Sequence, residues 1–187
     1  EVRSPHFLLP RDKARFVGEA VVMVIAQTAA LARDAAEAVV VDYEPLPSVT
    51  HTPSAETEKN AIVWNELGRN VYIELDVGDA KATEVEFAKA KHIVKMNTWV
   101  NRVTGVFMEP RGALGLYHAD SGRYEVHCGS GGVARFAVEM ADIFKVPQAK
   151  VRVVTPDVGG NFGTRNPFYP EYALVVWGAK RVGRPVK

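Results

Sequence analysis

Two glycine-rich loops hold the residues best able to bind or position a reactive group. Residues 128–132, Cys-Gly-Ser-Gly-Gly, stand between a predicted strand and a predicted helix that begins near Val133. Several backbone N–H groups are thereby left free at a helix N-terminus, an arrangement that cradles an anion. Residues 157–166, Asp-Val-Gly-Gly-Asn-Phe-Gly-Thr-Arg-Asn, place three glycines around one aromatic. There the backbone can approach a ligand closely while Phe162 walls it. Two such loops at the ends of strands flanking one helix present their donors to a shared region, which suits a phosphorylated or oxyanionic cofactor. The first loop also satisfies G-x-G-x-x-A through Gly129, Gly131 and Ala134, with Asp157 where a ribose-binding carboxylate would stand. Against that dinucleotide reading, the preceding strand is expected in a hairpin and the spacing to Asp157 is long.

Other polar residues have simpler readings. Cys128, at a strand end, fits a buried small hydrophobe as well as a loop ligand. Glu109 and Arg111 in Met-Glu-Pro-Arg are expected to pair locally and hold their loop. His118 and His127 fall on strands without metal-ligand spacing, so exposed or hydrogen-bonded histidines are expected. No His-x-x-x-His, Ser-His-Asp or paired-carboxylate arrangement can be assembled.

The elements that must carry these loops follow from period and punctuation. The opening stretch to Phe16 reads as an extended lead-in. Residues 20–26, Ala-Val-Val-Met-Val-Ile-Ala, form a continuous β-branched run suited to a strand buried on both faces. Thr28 can cap a helix to about Val39, whose alanine-rich face is expected to pack on that strand. A second strand at 39–49, closed by Pro45 and Pro47, completes a β-α-β unit. The polar residues 50–60 mark a linker. Residues 61–65, 70–77 and 92–103 read as strands, with a helix of about three turns between Asp79 and Lys91. A hairpin follows from 112–118 and 123–128, turning at Gly122. Val133, Phe136, Ala137, Met140, Ala141 and Phe144 recur at helical spacing, and Pro147 stops that helix. Residues 151–154 make a short strand, and Pro170 opens a helix that Gly183 ends.

Composition sets the limits. The 187 residues carry Lys+Arg 23 against Asp+Glu 22, a net charge of +1, so no global field exists to hold a nucleic acid. No apolar run approaches the roughly 18–20 residues of a membrane helix, so no membrane partner is expected. The single cysteine excludes an internal disulfide and a cysteine-ligated iron–sulfur cluster within this chain. A reducing, cytoplasmic setting is the default, or a periplasmic one if a leader was removed.

Three separated motifs bring a family resemblance. The stretch from Pro156 to Lys187, with Asp157-Val-Gly-Gly-Asn-Phe-Gly163 and a closing Gly-Arg-Pro-Val-Lys, resembles the P-D-x-G-G-G-F-G segment of the molybdenum-cofactor subunit of the xanthine dehydrogenase and aldehyde oxidase family, which includes aerobic carbon monoxide dehydrogenase. Residues 102–117, with Met-Glu-Pro-Arg-Gly, are similar to that family's M-E-P-R-G segment. Residues 15–49 are similar to its α/β hammerhead domain, including the Tyr-Glu-Pro-Leu-Pro ending.

The resemblance implies an α+β (α/β) fold, with a partial hammerhead β-α-β domain over 1–52 and the first part of a molybdopterin-binding domain over 60–187. It implies a parent oxidoreductase in which a pterin-bound molybdenum hydroxylates an aldehyde or N-heterocycle, or oxidises carbon monoxide, with water oxygen. Electrons would leave through iron–sulfur and FAD components. Cys128, Gly129, Ser130 and Gly131 would lie on the cofactor, Gly159, Gly160 and Asn161 would shape the second loop, and Phe162 and Gly163 would line the metal pocket, with the Phe162 backbone nearest the metal. Asn161 replaces the usual third glycine and is expected to tolerate a positive φ. Aligning Arg135 with the arginine that often follows puts Gly129 where the family has a glutamine that hydrogen-bonds a molybdenum oxo ligand, so that contact is absent. Asn166 falls where purine-oxidising members carry a substrate-binding carboxylate, which disfavours a xanthine-type substrate. The family's general base lies far beyond Lys187, so the chain is expected to be an N-terminal fragment without turnover or bound cofactor, self-associating through apolar faces meant for absent domains. A stand-alone assembly module of the same fold is the alternative.

Overall fold

The computed structural model describes residues 6–187; the first residues of the predicted lead-in lie outside it. Contacts divide the chain into two units, one built from His6–Asp42 and Thr104–Lys187, the other holding Tyr43–Val103.

In the first unit, three strands form a mixed sheet in the order β1-β2-β3, with β1 Ala113–His118, β2 Arg123–Cys128 and β3 Val151–Val154. The hairpin register pairs Ala113 with Cys128 and His118 with Arg123, and Gly122 takes φ 67° at the turn, where a side chain would be strained. β2 runs parallel to β3, and the crossover between them is α4, Val133–Phe144. The apolar spacing predicted that helix to within one residue. Its end is set by Lys145, left-handed at φ 55°, ahead of Pro147.

Strand alternation separates the faces of β2. Tyr124, Val126 and Cys128 point into a core with Phe136 and Met140 of α4 and Tyr172 and Val176 of α5, Pro170–Val182. The opposite side holds Glu125, buried despite its charge because basic groups surround it. His127 Nε2 is 2.8 Å away, His118 Nε2 3.2 Å, Arg123 Nη2 3.7 Å and Arg152 Nη1 3.9 Å. Both histidines are thus hydrogen-bonded, as their strand positions suggest. Gly115 lets α5 lie directly on β1, since a Cβ there would sit 2.4 Å from the Val175 carbonyl carbon. Past the Gly183 cap, at φ 66°, Val186 returns to bridge Gly115.

The region before residue 104 differs from expectation. α1, Ala29–Glu37, starts at its predicted cap, with Thr28 Oγ1 accepting from Leu31 N at 3.2 Å, yet it has no buried residue. Its apolar face is therefore not packed on a neighbouring strand. The run 20–26 forms no strand, and it is half-exposed rather than buried on both faces. Ile25 and Met23 instead lie against Gly178 of α5.

In the second unit, 61–65, 70–77 and 92–103 also carry no strand. β-branched composition marks a segment as suited to a sheet, but a strand exists only when a neighbouring backbone completes its hydrogen bonds. This unit contains α2, Thr52–Ala55, a 3-10 turn at Asn65–Leu67, and α3, Ala80–Lys89, capped by Asp79 on Ala82 N at 2.9 Å. Its best-connected side chain is Asn70, which donates to the Ala55 and Ala61 carbonyls, each at 3.0 Å, and accepts from Val63 N at 2.9 Å.

Candidate functional site

The β2-α4-β3 crossover brings the two glycine loops together. The first leaves β2 at Cys128 and enters α4 at Gly132; the second follows β3 and ends at α5. Gly131 N donates to the Arg165 carbonyl at 2.9 Å, so the loops share a backbone hydrogen bond. Thr155 adds a tether, donating to the Cys128 carbonyl at 2.9 Å while Ser130 Oγ, 2.6 Å away, donates to it. Gly129 and Ser130 are buried, and Gly131 and Gly132 are exposed at the helix start.

Cys128 belongs to the core cluster under the loop. Burial pushes its thiol up to about 11; Arg165 opposes that shift and Glu171 adds to it. It is a poor nucleophile there. Tyr172, whose hydroxyl donates to the Gly129 carbonyl at 3.4 Å, is likewise pushed up to about 12 by burial.

The second loop takes left-handed backbone at Gly160 (φ 116°), Phe162 (φ 47°) and Gly163 (φ 83°). The expected accommodation of positive φ by Asn161 is therefore corrected. Asn161 holds the loop with its side chain, accepting from Arg165 N and donating to Asn166 Oδ1, each at 3.0 Å. The left-handed non-glycine residue is Phe162, an uncommon conformation for a bulky side chain. Its ring is largely exposed at 77% and stands against positions 105 and 160, where only glycine fits: a Cβ at Gly105 would be 2.8 Å from Phe162 Cβ. Asn166 is exposed at the loop's end, and its Oδ1 lies where a Gly131 Cβ would come within 2.2 Å.

A third segment completes the assembly. Glu109 and Arg111 do not pair with each other. Glu109 Oε2 accepts from Arg165 Nη2 at 2.8 Å and from Gly159 N, while Arg111 binds Glu171 and lies over the Tyr169 ring at 3.8 Å. Proline at 110 separates the two side chains, and each finds a partner at least fifty residues away.

Arg165 is the residue that sequence reasoning missed. Its side chain is 1% exposed, Nε donates to the Gly160 carbonyl at 2.8 Å, and the guanidinium stacks on Phe107 at 3.9 Å. An arginine inside a glycine run gives no local sign of burial, because its acid lies 56 residues upstream. Asp157 is exposed and is not drawn into this network.

Chemically, the assembly offers backbone donors, close-approach glycines and one buried cation. It has neither a general base with a nucleophile nor, among the described residues, three His, Cys, Asp or Glu grouped to hold a metal. Among those residues no helix is long and apolar enough to cross a membrane.

Comparison with known proteins places the chain in a family. Residues 63–187 match the family model of the molybdopterin cofactor-binding domain, and residues 2–47 match the a/b hammerhead domain of aldehyde oxidase and xanthine dehydrogenase. The chain is 32% identical to the 6-hydroxypseudooxynicotine dehydrogenase complex subunit gamma of Paenarthrobacter nicotinovorans, over 97% of this chain and 22% of that one. It is 30% identical to the carbon monoxide dehydrogenase large chain of Hydrogenophaga pseudoflava, over 96% and 24%. Quinoline 2-oxidoreductase from Pseudomonas putida 86 superimposes with a TM-score of 0.84 at 32% identity, covering 96% of this chain and 22% of that one. The chain thus spans less than a quarter of the length of these relatives. With two thirds of its residues inside one family model and the hammerhead before it, the chain belongs to the molybdopterin cofactor-binding family of xanthine dehydrogenase and aldehyde oxidase large subunits.

Proposed function

We propose that this chain is the N-terminal portion of a molybdenum hydroxylase large subunit, with a hammerhead domain over 1–52 and the first part of the cofactor-binding domain over 60–187. The observation that carries the reading is the joining of the two glycine loops, both inside the matched residues, by the Gly131–Arg165 backbone hydrogen bond. The residues fit an anionic pterin group. The loops carry backbone donors beside a buried cation, and Arg165 keeps one buried donor without a partner, while Gly129, Gly131 and Gly159 are needed so that Arg165, Asn166 and Glu109 can pack against them. Cys128, Gly129, Ser130 and Gly131 would form one wall of the seat and Gly159, Gly160, Asn161, Phe162 and Gly163 the other. Asn166, exposed and uncharged, would face a substrate other than a xanthine.

When bound, the group supplies the redox centre that accepts two electrons as substrate gains an oxygen from water. The chain's own residues bind and orient. The proton-accepting base and the remaining cofactor contacts come from elsewhere in the subunit, and iron–sulfur and FAD components take the electrons. By itself the chain should show no turnover and retain no pterin. Its exposed apolar side chains, among them Met96, Trp99 and Val100, should drive self-association.

The test is to purify the natural polypeptide that carries these residues and assay molybdenum by mass spectrometry and pterin by fluorescence after oxidation. Stoichiometric molybdenum and pterin support the reading. A natural product of the size of this chain that contains neither would replace it with the non-catalytic module. Light scattering on the isolated chain should give a mass above 20.5 kDa; a clean monomer would remove the self-association.

A further inference from the structure

A buried guanidinium normally spends all its donors. In Arg165, Nε goes to the Gly160 carbonyl, and Nη2 to the Glu109 carbonyl at 3.2 Å and to Glu109 Oε2 at 2.8 Å, while Nη1 is buried with no hydrogen-bond partner. These bonds and the Phe107 ring fix the planar fork, so the direction of Nη1 is fixed too. It is directed at Gly129, where a Cβ would be 2.1 Å from Nη1 and 3.0 Å from Cζ. Glycine at 129 and arginine at 165 are therefore a matched pair, because any side chain at 129 would displace the guanidinium.

We propose that Arg165 is an anchoring residue of the cofactor seat, its Nη1 donating to an anionic oxygen of the bound group at the place where residue 129 has no side chain to offer a donor. This rests on the reading that the two loops hold the cofactor. The positive charge selects for an anionic acceptor, and charge-assisted donors of this kind are the stronger ones. The oxygen belongs either to the metal's own ligands or to the phosphate of the pterin.

Arg165→Lys tests it, since lysine keeps a cation for Glu109 and loses Nη1. The variant is built into the natural polypeptide carrying these residues and isolated with its partner chains. Retained molybdenum and pterin are measured after gel filtration, together with the electron paramagnetic resonance signal of the reduced metal. A fall of about tenfold in retention with an unchanged signal assigns the oxygen to the phosphate. A shifted signal at full retention assigns it to the metal. Full retention with the parent's signal overturns the proposal and leaves the functional reading intact, whereas a parent free of molybdenum and pterin overturns both. If Arg165→Lys does not fold, Gly129→Ala decides in the same assays, because it retains the arginine and pushes Nη1 from its place. Failure of both to fold would make Arg165 a structural cation only and end the proposal.

Discussion

Residues 104–187 and 43–103 are built from similar material, β-branched and aromatic runs punctuated by glycine and proline, yet only the first closes a core. Val126, Phe136, Met140, Tyr172 and Val176 are completely buried, whereas Ile73, Leu75, Val77, Val94 and Trp99 are each more than 70% exposed. The difference lies in what covers them. β2 receives α4 and α5 on one side, brought there by a parallel crossover and a bare Gly115, while the runs in 43–103 find neither a ladder partner nor a helix among the described residues. Apolar pattern gives a segment the capacity to be buried; burial itself requires a second surface of matching shape.

The sharpest way to probe this contrast is paired truncation. Phe136→Ala should cost about 3–5 kcal/mol in urea unfolding, from lost transfer energy plus the cavity left behind. Leu75→Ala should cost less than about 0.5 kcal/mol, as for other exposed positions. A comparable loss at Leu75 would break the comparison, showing that 43–103 is covered in solution. Next in size, Gly115→Ala should destabilise by about 1–3 kcal/mol, because the added carbon meets α5 backbone rather than a side-chain tip that can turn away. Within 43–103 the largest single effect should come from Asn70→Ala, about 1–2 kcal/mol, read as faster amide exchange over 55–70 with little change in the global midpoint.

The smallest effect is electrostatic. Burial would raise the Glu125 carboxyl, but hydrogen bonds from His127 and His118 and the charge of Arg152 outweigh it and hold the group below its usual 4.5. A folded value below the unfolded one contributes stability that is complete above about pH 4.5 and is lost as pH falls through the folded value. Glu125→Gln should therefore lower the neutral plateau of a thermal-midpoint profile slightly and leave its acid end little changed, which flattens the limb between them. An unchanged acid limb would mean that the sheet's outer face plays no part in acid stability.

Legibility in the sequence followed the range of the interactions. α4, α5, the hairpin and the caps at Thr28 and Asp79 are written in residues a few positions apart, and all were readable. So were the two loops as glycine-rich turns, since glycine spacing is local. The predicted strands at 20–26, 39–49, 61–65, 70–77 and 92–103 were not realised, because pairing is a property of two segments and the sequence shows one at a time. For the same reason Glu109 was matched to the nearest arginine, whereas its partner is Arg165. The left-handed residue at Phe162 was missed because no local rule places a bulky aromatic at positive φ, and the glycines at 105 and 160 that leave room for it lie outside any local pattern.

By itself the sequence determined the four longer helices, the hairpin, the glycine loops and the family to which three ordered motifs belong, because each rests on spacing along the chain. The tertiary structure alone decided which apolar runs are buried, and that one arginine would tie three distant segments around a glycine. Those outcomes depend on which surfaces meet, and the entropy of bringing segments some fifty residues apart together is recovered only when the whole core forms.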